Sequence, residues 1–107
     1  MKLVVIESPY AGDVERNRTY LNRCIRDCID RNESPYASHK MLVDSLDDSL
    51  PEERQLGIDA GFHWSEKASL AAFYSDYGIS KGMLMAANYY GDIGITIELR
   101  QIGENPK

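Results

Sequence analysis

The opening residues of the chain, MKLVVIES, contain the feature that most limits what it can fold into. Leu3, Val4, Val5 and Ile6 form a continuous apolar run with β-branched residues, and Pro9 ends it. A run without alternation is typical of a strand that is covered on both faces, as in a parallel sheet. Parallel strands are joined by crossover helices, so we expect strands and helices to alternate along the chain.

The later residues follow that alternation. Asp13 is predicted to cap a helix that ends near Asn32, and the acidic segment Val43–Leu50 to form a surface turn or short helix. The other predicted elements are an edge strand or extended loop in NESPYASHKML, a helix from Pro51 to about Lys67, a strand at 69–75, a helix from Ser80 to Tyr90 and a strand at 94–99.

This order predicts an α/β fold with a mainly parallel four-stranded sheet in the order 2-1-3-4, a small flavodoxin-like (Rossmann-like) three-layer sandwich. Ligands of such sheets bind at the carboxyl ends of the strands. Three loops are expected to meet there: Ser8–Asp13, the region of Tyr36–Lys40, and Asp76–Gly82. At 107 residues, the chain is expected to form a single domain over 1–103, with a loose tail at 104–107.

Apolar residues in the predicted helices are expected to be buried. In the helix that begins at Pro51 these are Leu56, Ala60, Phe62 or His63, and Trp64. Trp64, Phe62, Tyr89 and Tyr90 are expected to lie in the core or in a subunit interface. The open sheet and these aromatic residues also predict a homodimer or a higher homo-oligomer.

Charge and cysteine content exclude several kinds of partner. The net charge is −5, which argues against nucleic-acid polymers and anionic membranes. No apolar run is long enough to cross a bilayer, so a cytoplasmic protein is expected. Cys24 and Cys28 lie four residues apart on one helix face and are expected to be buried thiols. No metal site and no cofactor are predicted, because no Cys or His cluster has ligand spacing.

The predicted loop Ser8–Asp13 joins a buried strand to a helix. Its six residues, Ser8, Pro9, Tyr10, Ala11, Gly12 and Asp13, combine small side chains with one aromatic ring. Small residues let a ligand approach the backbone, and the helix N-terminus suits a phosphate, a ribose hydroxyl or a carboxylate. Neither a G-x-G-x-x-G nor a P-loop pattern is present.

A pentamer, ESPYA, occurs twice, at Glu7–Ala11 and Glu33–Ala37. Both copies are expected to leave the carboxyl end of a strand, where each would offer a Ser hydroxyl and a Tyr ring to one crevice. His39 follows the second copy and is a candidate donor to a phosphate or a base edge.

Several segments together resemble a known family. VVIESPYAGD, SPYASHKML, PEERQLGIDAG, DYGISKGMLMAAN and GITIELR are similar to segments of small nucleoside 2-deoxyribosyltransferase-like proteins, many of them from phages or prophages. The resemblance implies a flavodoxin-like sheet, a nucleoside or nucleotide pocket and self-association. In catalytic members, a Glu after the third strand attacks the anomeric carbon, an Asp helps to handle the base, and the opening loop holds the sugar or its phosphate.

The chain departs from that pattern where the catalytic Glu is expected. GISKGMLMAA contains no Glu or Asp, and Ser80, Gly82 and Ala86 stand at the candidate positions. Asp76 is a possible surrogate, or a cap of the Ser80 helix. The resulting candidate ligand-binding residues are Ser8, Pro9, Tyr10, Ala11, Gly12, Asp13, Tyr36, Ser38, His39, Gly78, Ser80, Gly82 and Met83.

Three functions are therefore open. The first is a non-catalytic nucleotide-binding protein, which in a phage would sequester a host-defence signal such as an ADP-ribose derivative or a cyclic nucleotide. The second is an N-glycosidase or deoxyribosyltransferase acting on (deoxy)nucleotides, with Asp76 as the acid. The third is a scaffold protein whose pocket is vestigial. A phage-encoded protein would act in the host cytoplasm.

Overall fold

The structure is a computed structural model, and it describes residues 1–103. The predicted loose tail at 104–107 lies outside the described residues. The elements in chain order are β1 (Lys2–Glu7), α1 (Val14–Asp30), β2 (Glu33–Tyr36), α2 (Ser38–Met41), α3 (Pro51–Ser65), β3 (Leu70–Tyr74), α4 (Lys81–Ile93) and β4 (Thr96–Arg100).

The four strands form one parallel sheet in the order β2-β1-β3-β4. Val4 of β1 stands between Pro35 of β2 and Leu70 of β3, and Leu70 is in register with Thr96 of β4. The predicted α/β fold and strand order are confirmed. Val4, Val5 and Ile6 of β1 and every residue of β3 are buried, which explains why β1 reads as an apolar run without alternation, although Leu3 at its start is exposed.

Two cores cover the two faces of the sheet. On one face α1 packs Cys24 and Cys28 against Val4, Ile6 and Tyr74. The other core contains the buried residues Val5, Ala71, Phe73, Met83, Ala86 and Tyr90, with Phe62 of α3 packed against it. The layers are therefore helix, sheet and helix, and both thiols are free and buried. Within residues 1–103, no helix is long and apolar enough to span a membrane.

Helix α3 packs differently from the prediction. Gly61 and Ser65 are its buried residues, whereas Ala60 is exposed, and Leu56 and Trp64 each keep 59% of their surface exposed. The predicted burial of Leu56, Ala60 and Trp64 is wrong. The reason is a close approach: a Cβ on Gly61 would lie 2.9 Å from the Ser38 Cβ, so α3 presents its smallest residues to the protein.

Candidate functional site

Two of the three predicted loops meet at the carboxyl edge of the sheet. The rings of Tyr10 and His39 lie with centroids 5.3 Å apart and planes inclined by 56°. They border a cavity between α1 and α2 whose volume, counted with the space open to solvent, is about 410 Å³. The lining residues are Pro9, Tyr10, Asn17, Arg18, Leu21, His39, Lys40, Val43 and Asp44. We call this the Tyr10–His39 cavity.

The cavity combines a neutral ring with cations. Burial lowers the pKa of His39, although nearby Asp48 acts in the opposite direction, so the imidazole is neutral at pH 7. Lys40 donates to the Asn22 side chain at 2.9 Å, and Arg18 lies exposed on the first turns of α1. Aromatic rings beside cations suit a ligand that carries both an aromatic group and an anionic group.

The opening loop is held in shape by α1. Nδ2 of Asn17 donates to the carbonyl oxygens of Tyr10 and Ala11, each at 3.0 Å. Gly12 has φ +96°, a conformation that an L side chain rarely adopts. Asp13 caps α1 as predicted, since its Oδ1 accepts from the Arg16 N–H at 3.0 Å. That carboxylate already occupies the positive end of α1, so an anionic ligand is better placed near Arg18 and Lys40.

Ser8 lies at the root of the opening loop. It is only 1% exposed, and its Oγ is buried without a hydrogen-bond partner among the described residues. Burying an unpaired hydroxyl is unfavourable, and such groups occur at sites that receive a ligand or an ordered water. Ser8 lies behind the opening loop and does not line the Tyr10–His39 cavity, whereas Pro9 beside it does.

Asp76, the predicted catalytic residue, joins three segments of the fold. Its carboxylate accepts from the Tyr20 hydroxyl at 2.6 Å and from the backbone N–H groups of Ile102 and Gly103 at 3.0 and 2.9 Å. Asp76 does not cap α4, because Ser80 accepts from the Met83 N–H. These bonds tie α1 and the segment after β4 to the end of β3.

The rest of the third loop serves mainly to begin α4. The Ser80 hydroxyl is used as the helix cap, and Met83 is 1% exposed within the core of the α3 and α4 face. Met83 therefore packs in the core instead of lining the Tyr10–His39 cavity, because it lies on the inner side of α4. Gly78 has φ +86°, and Gly82 is exposed. Loop three contacts the opening region through Tyr77, which lies 4.0 Å beneath the Arg16 guanidinium.

The two ESPYA copies occupy different places, which corrects the expectation that both leave a strand end. The first copy begins with the last residue of β1, but the second copy starts β2, and its Ser34 and Tyr36 pair with Leu3 and Val5. The cause is that only two residues separate the end of α1 at Asp30 from the start of β2 at Glu33. The strand therefore includes four of the five residues of the second copy. On this side the crevice is lined by His39 and Lys40 of α2 and by Val43 and Asp44 after it, and by no residue of the second copy.

Tyr36 and Ser38 consequently face α3. The Tyr36 ring stacks on Trp64 with centroids 5.4 Å apart, and its hydroxyl is buried without a partner among the described residues. Ser38 packs against Gly61 of α3. Both residues help to seat α3 on the sheet, so they lie away from the ring pair of Tyr10 and His39.

Glu7 is a functional candidate that the sequence interpretation missed. It ends β1, is 8% exposed, and its Oε2 lies 2.6 Å from the Tyr90 hydroxyl. That hydroxyl is 3.1 Å from the Ser65 Oγ, which in turn donates to the Gly61 carbonyl at 2.7 Å. The sequence did contain one indication of this burial. Glu7 lies two residues after the buried Val5, and residues two apart in a strand point to the same face.

The Glu7 carboxyl accepts one hydrogen bond, from the Tyr90 hydroxyl, in a position that is almost completely buried. Burial accordingly raises the pKa of Glu7 to about 7, although the bond from Tyr90 acts in the opposite direction.

Metal ligands are not grouped in this structure. Within residues 1–103, no cluster of three or more His, Cys, Asp or Glu side chains is arranged to hold an ion.

Comparison with known proteins places the fold. A family model described as "Domain of unknown function (DUF7768)" matches residues 2–100. No curated protein is significantly similar in sequence. Among solved structures, the chain is similar to a 2-deoxyribosyltransferase from the psychrotolerant bacterium Bacillus psychrosaccharolyticus, with a TM-score of 0.69 and 12% identity over 98% of this chain and 77% of that one. This likeness shows that the two proteins share a fold.

Proposed function

We propose that this protein, which belongs to the DUF7768 family, binds a nucleotide in its Tyr10–His39 cavity. The observation that carries this proposal is the ring pair of Tyr10 and His39 beside two cations, Arg18 and Lys40, at the carboxyl edge of a parallel sheet. This edge is where ligands of such sheets bind. The shared fold with a 2-deoxyribosyltransferase supports a nucleoside-related ligand.

The side chains suggest how the ligand is divided between them. A base can stack on Tyr10 or on the neutral imidazole of His39, which can also meet a base edge through a ring nitrogen. A phosphate can pair with Arg18 through two parallel hydrogen bonds. Asp44 on the same lining disfavours a ligand with a dense negative charge, so a monophosphate or diester fits better than a triphosphate.

Binding without turnover is favoured by the surroundings of Asp76. Its carboxylate accepts at least three hydrogen bonds that hold the fold together, so it is poorly placed to exchange a proton with a ligand. A non-catalytic binder would act by removing a nucleotide signal from its receptor. An ADP-ribose derivative and a cyclic nucleotide are therefore among the ligands to be tested.

Turnover remains the second candidate because of Glu7. Burial raises the pKa of the Glu7 carboxyl to about 7, and a carboxyl that holds a proton near neutral pH has the property that a general acid needs to protonate a leaving base. Under this alternative, the protein cleaves or exchanges an N-glycosidic bond.

Calorimetry with matched ligands tests the binding proposal. The titrants are a nucleoside, its monophosphate, ADP-ribose, a cyclic nucleotide and inorganic phosphate. We expect the phosphorylated nucleosides to bind more tightly than either part alone. Arg18→Ala should weaken them about tenfold, since one lost charged pair is worth roughly 1.4 kcal/mol. Arg26→Ala, two turns further along α1, is the control and should not change affinity. Absence of binding at high micromolar ligand contradicts the proposal.

Product analysis separates binding from turnover. Incubation with deoxynucleoside monophosphates should release no free base if the protein only binds. Base release that is lost in Glu7→Gln would instead assign the acid. Asp76→Asn must be accompanied by a melting curve, because its loss of activity could also reflect the broken bonds to Tyr20 and Ile102.

A further inference from the structure

The outer surface of α3 has an apolar stripe that stays exposed in the part of the chain described, residues 1–103. Leu56, Ala60 and Trp64 recur at four-residue spacing, so they lie along one side of the helix. All three are exposed, Leu56 and Trp64 by 59%. We call these three residues the α3 stripe. Trp64 is held in place by its stack on Tyr36, which makes it a rigid apolar anchor.

Opposite charges stand at the two ends of the stripe. Glu52 lies in the first turn of α3, and Lys67 follows its last turn. Both residues are exposed, and neither side chain takes part in an ion pair or hydrogen bond within residues 1–103. The stripe therefore ends in the Glu52 carboxylate on one side and in the Lys67 ammonium on the other, where the neighbouring Glu66 lies 3.6 Å from His63.

We propose that the α3 stripe is the contact surface between two copies of this chain, paired antiparallel about a two-fold axis at Ala60. In this arrangement Leu56 of one copy faces Trp64 of the other, because both lie four residues, or about 6 Å, from the axis. The small Ala60 side chains let the helices approach closely. Glu52 of each copy stands beside Lys67 of the other, so both ends are paired with opposite charge.

A second copy fits this surface better than an unrelated partner does. An isologous contact requires a surface that is complementary to itself after a two-fold rotation. The α3 stripe satisfies that requirement in shape, with the large residues on either side of Ala60, and in charge, with Glu52 and Lys67 at opposite ends. The proposal does not depend on the ligand site, because the cavity lies between α1 and α2.

Sedimentation velocity of the full chain tests the contact. The wild type should sediment at twice the mass of one chain, and Ala60→Arg should sediment as a monomer, since it places two like charges on the axis. Asn88→Arg, at an exposed position of α4, is the matched control and should remain dimeric. A monomeric wild type overturns the proposal, as does an Ala60→Arg variant that stays dimeric while its circular dichroism is native.

Mixing two charge variants tests the antiparallel register. Glu52→Lys and Lys67→Glu each place like charges at both ends of their own dimer, and each should raise the dimer dissociation constant about tenfold. The equimolar mixture restores opposite charges at both ends, so it should dimerise about as tightly as the wild type. A mixture that is no tighter than the separate variants overturns this register.

Discussion

Glu7 and Glu33 have the same four residues after them, but the fold shifts their pKa values in opposite directions. Glu7 accepts from the Tyr90 hydroxyl, and its burial raises its pKa to about 7. Glu33 receives both terminal nitrogens of Arg100 at 2.7 Å, and this bidentate bond lowers the pKa of Glu33. Local sequence is therefore a poor guide to the charge of a buried carboxyl, because the neighbours that decide it come from α4 and β4.

Glu7→Gln should remove a pH dependence of stability. The folded protein holds the Glu7 proton up to a pKa of about 7, whereas the unfolded chain releases it near 4.5. The stabilisation by this proton is thus complete below pH 4.5 and is lost as the pH rises to about 7. Gln keeps an oxygen that accepts from the Tyr90 hydroxyl, and it has no proton to lose. At about pH 8, Glu7→Gln should be more stable than wild type by about 3 kcal/mol.

Urea unfolding at the two ends of this pH range checks the expectation. The wild type and Glu7→Gln should have similar free energies of unfolding near pH 4.5 and should separate as the pH rises. An unchanged difference across the range would show that Glu7 is ionised in the folded state throughout. Glu15→Gln, at an exposed carboxylate of α1, serves as the control.

Glu33→Gln should act in the opposite direction. It removes the bidentate carboxylate from the Arg100 guanidinium, whose side chain is 2% exposed and which then keeps only the half-exposed Glu98 as a carboxylate partner, so stability at neutral pH should fall by about 3 kcal/mol. In the wild type, this contribution is present above pH 4.5 and decreases as acid protonates Glu33. Denaturant midpoints of the wild type, Glu33→Gln and Glu7→Gln, measured under the same conditions, test this prediction. A loss of stability in Glu33→Gln no larger than that of a variant at an exposed Glu would contradict it.

At the scale of elements, α3 packs against the rest of the protein through its smallest side chains. Gly61 approaches Ser38, Ser65 donates to the Gly61 carbonyl and contacts Tyr90, and the aromatic residues Phe62 and Tyr89 stack with centroids 4.1 Å apart. This packing turns the larger apolar residues of α3 outward. An apolar pattern read along the helix predicts the wrong face, because it ranks residues by hydrophobicity and not by how closely the backbone can approach.

Gly61→Ala should destabilise the protein, although alanine is the better helix former. Its Cβ would lie 2.9 Å from the Ser38 Cβ, so α2 or α3 must shift. The clash should exceed the gain of about 1 kcal/mol in helix propensity. Gly91→Ala in α4 meets no atom within 4 Å and should gain that amount. Thermal melts of both variants test this, and equal shifts in melting temperature would refute it.

At the scale of the whole molecule, charge is distributed unevenly. Residues 1–32 carry six Lys or Arg and five Asp or Glu, whereas the rest of the chain carries six and twelve. Two cations line the proposed ligand cavity. Arg18 belongs to the near-neutral residues 1–32, and Lys40 follows them by eight residues. A small anion can approach there although the net charge is −5.

That distribution predicts no general affinity for nucleic-acid polymers. Non-specific DNA binders at physiological salt have dissociation constants of about 10⁻⁴ to 10⁻⁶ M through many phosphate contacts, which a chain of charge −5 lacks. Fluorescence anisotropy of a labelled short duplex should stay constant with protein at about 10 µM. A rise in anisotropy that disappears with added salt would contradict this expectation.

The amino-acid sequence determined the fold, the strand order and the cap at Asp13, because apolar runs and capping residues act within a few positions of each other. It also indicated the Tyr10 and His39 sides of the crevice, since strand order fixes which loops are neighbours. Only the tertiary structure decided the raised pKa of Glu7, the bonds that hold Asp76, the cap at Ser80 and the outward face of α3. Apart from the local Ser80 cap, each of these depends on contacts between residues far apart in the chain, where distance and burial, and not residue type, set the energy.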